Sequence, residues 1–260
     1  MNLFLINFSK KIFNCPFYKA KEYFYIYRTW TNYKVIYKVI INNYDIHINP
    51  KFLNYDFDYL FFTNNLYYFQ NTNSIWQYYH IPKNINKLSP SKQNRYLKIN
   101  AHKYLPSIYN FSIYIDGNVI IINDINLLLK QINSKYGNFK FYIPIHPDRN
   151  CIYAESKIVL KLKKDKYKNV NPQIKKIKKD SFPPNYGLSE NNILIRNHKD
   201  SSIIQLMNEW WKIVSNGSKR DQLSLMYIIW KYNFKNFSLI ERKLIEKYFK
   251  IIRKHRKNIF

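Results

Sequence analysis

Glycine and alanine are scarce in this chain of 260 residues, which contains four glycines and three alanines. Lysine (35 residues), tyrosine (25) and phenylalanine (18) are abundant instead. Lysine, asparagine, isoleucine, tyrosine and phenylalanine share AT-rich codons, whereas glycine and alanine need GC-rich ones. We therefore attribute much of the formal net charge of +27 to nucleotide composition. Hydrophobic residues still make up 46% of the chain, which excludes a disordered tail and is enough for one large core.

Arginine is also scarce, since it supplies only eight of the 43 basic residues. A strongly basic chain normally indicates a nucleic-acid or anionic partner. Arginine, however, binds phosphate in a bidentate way that lysine does not match. The basic residues cluster in 161–179 and 242–257 instead of alternating with aromatic residues. Nucleic-acid binding, with tyrosine and phenylalanine stacking on bases, therefore stays an alternative, and no nucleic acid is expected as a partner.

Two cysteines, Cys15 and Cys151, are too few for a disulfide scaffold and fit a reducing compartment. The apolar residues 1–8 precede Lys10 and Lys11, the reverse of the order in a signal peptide. Residues 59–82 carry no charge, but six asparagines and glutamines make them too polar to cross a bilayer. These absences predict a soluble, cytoplasmic protein.

Strand and helix patterns alternate along the chain. Apolar, β-branched runs predict strands at 34–41, 58–63, 111–115, 119–122, 140–145 and 191–196. Periodic apolar residues predict helices at 89–104, 125–132, 156–162, 202–214, 220–230 and 239–252. This alternation predicts a single α/β domain of the Rossmann-like kind, with a mixed, mostly parallel sheet flanked by helices.

Further expectations concern the ends of this domain, its lysine-rich segment and one helix end. We expect a lead-in at 1–30, the main domain at 31–235 and a basic C-terminal helix at 236–260. Residues 240–257 could form an amphipathic helix that touches an anionic membrane, or one that packs on the domain. Residues 161–179, with nine lysines, predict a mobile loop or a frayed helix, and Gly217 predicts a left-handed helix cap.

Polar residues follow several of the predicted strands, which matters because ligands of such sheets bind beyond the carboxyl ends of the strands. The segments are 42–45, 63–65, 116–118, 146–149 and 196–198. The sharpest is FSIYIDGNVII, in which a strand delivers Asp116 to a turn and Gly117 allows close approach of a ligand. Asp116 could bind Mg²⁺ or Mn²⁺, which bridges diphosphate oxygens and stabilises a departing nucleotide diphosphate. The structural alternative is an ordinary Asp-Gly hairpin.

Two other segments combine groups of opposite charge. His146 could bind a metal or donate a hydrogen bond, and Arg149 could hold a phosphate, although Asp148 and Arg149 could equally be a solvated pair. Asp221 could be a general base or a nucleophile, or could stabilise the start of a helix.

Paired tryptophans stand in the predicted helix at 202–214. Trp210 and Trp211 cannot both face the core of one helix, so one of them could stack on a sugar. The alternative is that both rings are partly buried in the domain.

An ordered set of motifs resembles a glycosyltransferase-like domain family. The motifs are IINNYD, DYLFFTNN, RYLKINAHKYLP, FSIYIDGNV, IHPDRNCIYAES, GLSENNILIRNH, NEWW and SKRDQLSLMYIIWK. That family, formerly listed as a domain of unknown function, is known from plant mucilage and cell-wall proteins and from bacterial and viral polysaccharide proteins. The resemblance covers about residues 34–232 and is most specific in IDG, in HPDR with a following glutamate, and in RDQLS.

The resemblance implies a GT-A-like glycosyltransferase that transfers a hexose from a nucleotide sugar to a glycan or lipid-linked acceptor, with Mn²⁺ or Mg²⁺. Asp116 would bind the metal. The implied donor-binding residues are Asp116, Gly117, Asn118, Asn64, Lys98 and Arg149, and His102 lies with Lys98 in a matching basic segment. The implied catalytic residues are Asp221, Gln222 and Arg220, and the implied acceptor or sugar contacts are His146, Glu155 and Trp211.

Two departures from the family pattern qualify this carry-over. Asn64 stands where the family usually has the aspartate of a Thr-Asp pair, which argues against nucleoside contact by a carboxylate there. A membrane anchor of the kind that plant members carry is not seen, so their Golgi location does not transfer. With one carboxylate in the turn, a catalytically inactive glycan-binding relative is a further alternative.

Overall fold

The computed structural model describes residues 33–45, 47–70 and 74–252, and its centre is a seven-stranded sheet. The strand order is β3-β2-β1-β4-β7-β6-β8, and β7 alone runs antiparallel to its neighbours. The strands are β1 Lys34–Ile40, β2 Asp58–Thr63, β3 Gln77–His80, β4 Phe111–Ile115, β6 Phe141–Pro144, β7 Ile193–Arg196 and β8 Phe237–Ile240. The predicted mixed, mostly parallel sheet is confirmed.

Helices and a second, small sheet cover both faces of the central sheet. The helices are α1 Pro90–Ile99, α2 Ala101–Tyr104, α3 Ile125–Tyr136, α4 Ile152–Lys161, α5 Tyr167–Lys179, α6 Ser201–Asn216, α7 Leu225–Lys231 and α8 Arg242–Ile245. The second sheet pairs β5 Val119–Ile121 with β9 Phe249–Ile251 in antiparallel fashion. Helices α1, α2 and α4–α7 pack on one face of the central sheet, and α3, α8 and the second sheet on the other.

Burial on both faces explains why the strands have continuous apolar sequences. Every residue of β2 (DYLFFT) is buried, as are six of the seven residues of β1 (KVIYKVI). Helix α3 begins as predicted, because Asp124 accepts a hydrogen bond from the amide of Asn126 at 2.8 Å. None of the helices in the described ranges is both long enough and apolar enough to cross a membrane.

The lysine-rich segment is ordered helix over much of its length, so the predicted loop or frayed helix at 161–179 is wrong. Val170, Ile174 and Ile177 recur at helical spacing, and Val170 and Ile177 are buried against the main core. The lysines of α5 occupy the exposed side, where their charges are solvated. Composition therefore concealed an amphipathic pattern of only a few apolar residues.

The C-terminal segment is not a helix at 240–257, as predicted, but a strand, a short helix and another strand. Strand β8 pairs with β6, and β9 pairs with β5. The apolar residues of the expected membrane face lie instead in the domain, since Ile245, Tyr248 and Phe249 are at most 3% exposed. Predictions for residues 1–30 and beyond 252 fall outside the described part of the chain.

Gly217 ends α6, but the predicted left-handed cap is wrong, because its φ is −116°. Glycine is needed for space: a Cβ atom here would lie 2.2 Å from Oε1 of Gln173. That oxygen accepts a hydrogen bond from the amide of Ser218 at 2.8 Å, so Gln173 ties α5 to the segment that follows α6.

Arg196 at the end of β7 is fully buried and fixes the C-terminal end of α1. Its guanidinium donates to the carbonyl oxygens of Lys98 and Ile99 and to the hydroxyl of Tyr37. The hydroxyl of Tyr37 also donates to the Lys98 carbonyl oxygen, at 2.9 Å. Residues 196–198 were predicted at the ligand-binding edge, but the antiparallel direction of β7 puts them at the opposite edge.

We expect Arg196→Leu to lower the free energy of unfolding by about 3 kcal/mol, because buried oxygen acceptors would lose their donor. Urea denaturation measures this change. The control is Arg242→Leu, which removes a partly exposed ion pair with Glu246 and should cost less than about 1 kcal/mol. Equal losses in the two variants would contradict the role assigned to Arg196.

Candidate functional site

A cleft of about 760 Å³ lies at the edge where the parallel strands end. It is lined by the segments that follow β1 and β4, by residues 190–192 before β7, and by one side of α1. The segment between α6 and α7 closes it with Lys219, Arg220, Asp221 and Gln222. Because β7 runs antiparallel, it is its amino end that reaches the cleft. This is the position at which α/β sheets bind ligands.

Asp116 enters the cleft directly after β4, as predicted. Its Oδ1 accepts a hydrogen bond from the hydroxyl of Tyr114 at 2.7 Å and lies 3.6 Å from Nζ of Lys98. The side chain is 29% exposed, so it can reach a ligand. The alternative of a hairpin is wrong, because β5 does not pair with β4 but with β9. The turn instead redirects the chain into the second sheet.

Gly117 is required by the packing of the turn. A Cβ atom at this position would lie 2.8 Å from Cβ of Asp45 and 2.8 Å from Cγ1 of Ile40. Because glycine has no Cβ atom, the segment after β1 can rest against the turn. Asp45 therefore lines the cleft together with Asp116. Asn118 serves a different purpose, since its Nδ2 donates to the carbonyl oxygen of Ile252 at 2.8 Å and holds the segment after β9.

Asp221 is buried between two cations that α1 supplies. Its Oδ2 lies 2.7 Å from Nζ of Lys98, and its Oδ1 lies 3.4 Å from Nε of Arg95. Burial alone would raise the pKa of Asp221, but Arg95 and Lys98 outweigh it and lower the pKa to about 2. Asp221 is therefore ionised at neutral pH and is a poor proton acceptor, which argues against a general base.

Lys98 connects the two carboxylates. Its side chain is only 1% exposed, and its ammonium also lies over the ring of Tyr114, 5.1 Å from the centroid. It therefore acts as a buried bridge between Asp116 and Asp221. Of the other predicted residues in the cleft, Arg220 donates to Oε1 of Gln222 at 2.7 Å.

Five predicted residues do not line the cleft. Asn64 pairs with Asn42, whose amide donates to Oδ1 of Asn64 at 2.8 Å. Trp211 is half-buried and packs edge-on against Tyr96, with the ring centroids 4.8 Å apart. The remaining three residues are His146, Arg149 and Glu155.

His146, Arg149 and Glu155 form a cluster of their own. Nε of Arg149 lies 2.6 Å from Oε2 of the buried Glu155. Nδ1 of His146 accepts hydrogen bonds from the backbone amides of Asp148 and Arg149, both at 3.2 Å. Burial lowers the pKa of this imidazole. The polar groups of this cluster therefore bond one another and stabilise the turn after β6.

Several residues of the cleft were not predicted as site residues. Arg95 lies one helical turn before Lys98 on α1, a spacing that would have placed both on one face. Glu190 lines the cleft near β7, and burial raises the pKa of its carboxyl. Lys164 comes from the lysine-rich segment 161–179, for which only a mobile loop or a frayed helix was predicted, and Lys219 directly precedes the predicted Arg220.

A divalent cation would have one protein oxygen available at Asp116. Oδ2 accepts no hydrogen bond from the described residues, whereas Oδ1 is engaged by Tyr114 and Lys98. In the same part of the chain, no three histidine, cysteine, aspartate or glutamate side chains form a metal-binding group. Because Mg²⁺ is often held by one or two carboxylates together with substrate phosphates, the residues fit an ion that binds with a diphosphate.

The family is decided by comparison with known proteins. A family model described as TOD1/MUCI70, glycosyltransferase-like domain, matches residues 57–255. The chain belongs to this family. Its mixed, mostly parallel sheet is the arrangement that the sequence resemblance implied. No curated protein sequence matches the chain.

Solved structures similar to this TOD1/MUCI70 domain include glycosyltransferases. Mouse xyloside xylosyltransferase 1, in its apo form, is 11% identical with a TM-score of 0.49, over 80% of this chain and 85% of that one. The bifunctional glycosyltransferase WbbM is 12% identical with a TM-score of 0.44, over 82% and 39%. The galactosyltransferase LgtC, in complex with donor and acceptor sugar analogues, is 13% identical with a TM-score of 0.40, over 79% and 72%.

We expect Asp221→Asn to lower the free energy of unfolding of this TOD1/MUCI70 domain at pH 7 by at least about 2 kcal/mol, because two buried cations lose their carboxylate. The folded pKa of about 2 lies below the unfolded value of about 3.9. The stabilisation is therefore complete above about pH 4 and is lost as the pH falls towards 2.

Urea denaturation of both proteins between pH 7 and pH 3 measures the difference, which should shrink at the acidic end. Asp148→Asn is the matched control, since that side chain is 68% exposed. This substitution should change the free energy of unfolding by less than about 1 kcal/mol. A difference that does not change with pH would contradict the ion-pair account.

Proposed function

We propose that this chain is a glycosyltransferase that transfers a hexose from a nucleotide sugar to a glycan or lipid-linked acceptor, with Mn²⁺ or Mg²⁺. The observation that carries the proposal is the Asp116–Lys98–Asp221 network in a cleft at the ligand-binding edge of the sheet. Family membership supports the reaction class. A buried, charged network at this edge, where the fold binds ligands, is more than stability requires.

The donor's diphosphate would lie against Asp116 and the basic side chains of the cleft. Oδ2 of Asp116 would hold the divalent cation, which when bound neutralises charge on the departing nucleotide diphosphate. Lys219 and Arg220 line the same cleft and can pair with phosphate oxygens. The turn at Gly117 and Asn118 would present backbone groups to the donor.

The three residues near the sugar, Asp221, Gln222 and Arg220, would have different roles. Asp221 keeps Lys98 and Arg95 in position, because both of its oxygens face cations and its pKa is about 2. Gln222 is oriented by Arg220 and can bond sugar hydroxyls through its amide nitrogen. Glu190, whose burial raises its pKa, is the cleft carboxyl better suited to proton transfer.

We expect the protein to bind and slowly hydrolyse at least one member of a panel of UDP- and GDP-sugars in the presence of Mn²⁺. Asp116→Asn should weaken donor binding at least about tenfold, because the variant loses the charge that holds the cation. Isothermal titration with and without EDTA measures the affinity, and product analysis measures turnover. Asp56→Asn, an exposed aspartate that contacts Asn126, is the control.

Three outcomes separate this proposal from its alternatives. Binding of no donor across the panel would exclude the glycosyltransferase. Donor or glycan binding without turnover, unaffected by Asp116→Asn, would favour the inactive glycan-binding relative. Tight binding of RNA or DNA that falls steeply with salt, in place of donor binding, would favour the nucleic-acid alternative.

A further inference from the structure

Next to the cleft lies a second cavity, of about 890 Å³, that we call the lysine groove. Five lysines and one carboxylate line it together with Tyr167 and a few neutral residues. The charged residues are Lys92, Lys163, Lys166, Lys168, Lys219 and Asp165. Among the residues that the structure describes, none of these lysines forms a salt bridge with a carboxylate. The groove therefore carries a large uncompensated positive charge.

The one carboxylate that lines the groove, Asp165, forms no salt bridge with the lysines of the groove. Oδ1 of Asp165 accepts hydrogen bonds from the backbone amide of Lys166 at 2.7 Å and from Nδ2 of Asn169 at 3.0 Å. Its Oδ2 accepts hydrogen bonds from Oγ of Ser218 at 2.7 Å and from the backbone amide of Lys219 at 2.9 Å. Asp165 is thus a structural clasp between the segment before α5 and the segment after α6, and these contacts involve no lysine ammonium group. The ammonium of Lys92 donates to the carbonyl oxygen of Ser215.

The clasp also gives the groove a defined shape. Gln173 of α5 accepts the amide of Ser218 and donates to the carbonyl oxygen of Leu223 at 2.9 Å. The lysine-bearing segment is therefore bonded to both ends of the segment that contains Arg220 and Asp221. Nucleotide composition can account for how many lysines the chain has, but not for their convergence on one braced cavity.

The lysine groove and the cleft share a wall. Lys219 lines both cavities. Lys163 lines the groove and Lys164 lines the cleft, while Ser89 lines the groove and Pro90 lines the cleft. A molecule lying in the groove therefore ends beside the place where a donor sugar would be bound.

Resting on the proposed function, we propose that the lysine groove binds the acceptor and that this acceptor is a glycan with repeated negative charges, carried as carboxylates or phosphates. Neutral sugars are bound mainly by hydrogen bonds and by stacking on aromatic rings, for which the groove offers one tyrosine, Tyr167. Lysine ammonium groups are mobile point charges, which suit anions spaced along a chain better than one fixed anion. Positive potential in a groove also raises the rate at which a charged acceptor arrives.

The test compares two triple variants that lose the same charge. Lys163→Gln, Lys166→Gln and Lys168→Gln together remove three groove lysines that lie outside the cleft lining. Lys175→Gln, Lys178→Gln and Lys179→Gln together remove three exposed lysines of α5 that line neither cavity. The probes are an oligogalacturonate for carboxylates, inorganic tripolyphosphate for phosphates, a neutral maltooligosaccharide, and a single-stranded DNA of equal charge.

We expect the wild-type chain to bind oligogalacturonate or tripolyphosphate, and the groove variant to bind it about tenfold more weakly. The α5 variant should differ from wild type by less than about twofold. Equal losses in the two variants, tighter binding of the neutral oligosaccharide, or tighter binding of the DNA would each overturn the proposal.

Titration of the wild-type chain with the panel of UDP- and GDP-sugars and Mn²⁺ is included to separate this proposal from the proposed function. Binding of a nucleotide sugar without binding of either anionic probe means that the acceptor proposal alone has failed. Absence of binding across the whole panel means that the glycosyltransferase proposal has failed, whatever the groove binds.

Discussion

The ammonium group of Lys98 is the point on which the candidate site depends. It is almost completely buried, and a buried charge is costly unless opposite charge surrounds it. Asp221 at 2.7 Å, Asp116 at 3.6 Å and the ring of Tyr114 supply that compensation. These partners come from β4, from the turn after it and from the segment between α6 and α7. One cation of α1 therefore links the end of β4 to a segment more than 100 residues further along the chain.

The backbone of the same residue is fixed from the other side. The carbonyl oxygen of Lys98 accepts hydrogen bonds from Arg196 and Tyr37, both buried in the sheet. Helix α1 can therefore neither rotate nor slide without breaking the contacts of the Lys98 ammonium group and of its carbonyl oxygen. The geometry of the cleft follows from this restraint, since Arg95 and Asn94 on the same helix also line it. The proposed function uses this charged frame for preorganised stabilisation of the leaving group.

The scarcity of glycine shapes the loops around this frame. Four asparagines have positive φ values near +50°, a conformation that glycine adopts more readily. They are Asn42, Asn43, Asn185 and Asn233. At Gly117 and Gly217, however, the constraint is space, because any side chain would collide with Asp45 or Gln173. Asparagine thus occupies four of the left-handed positions, whereas Gly117 and Gly217 are required because there is no room for a Cβ atom.

The sequence alone determined five of the seven strands of the central sheet, most helices, the family and the position of Asp116, because these depend on local patterns: continuous apolar runs, capping residues and ordered motifs. The short strand β3 was not predicted. It did not determine the C-terminal strands, because the apolar residues of 237–251 fit a helix or a strand until their pairing with β5 and β6 is known. Nor did it separate the two polar clusters. His146, Arg149 and Glu155 bond one another, whereas Asp116, Lys98 and Asp221 meet across more than 100 residues of chain. Only the tertiary structure decides which charges become neighbours, since electrostatic contact depends on distance in space and not on position along the sequence.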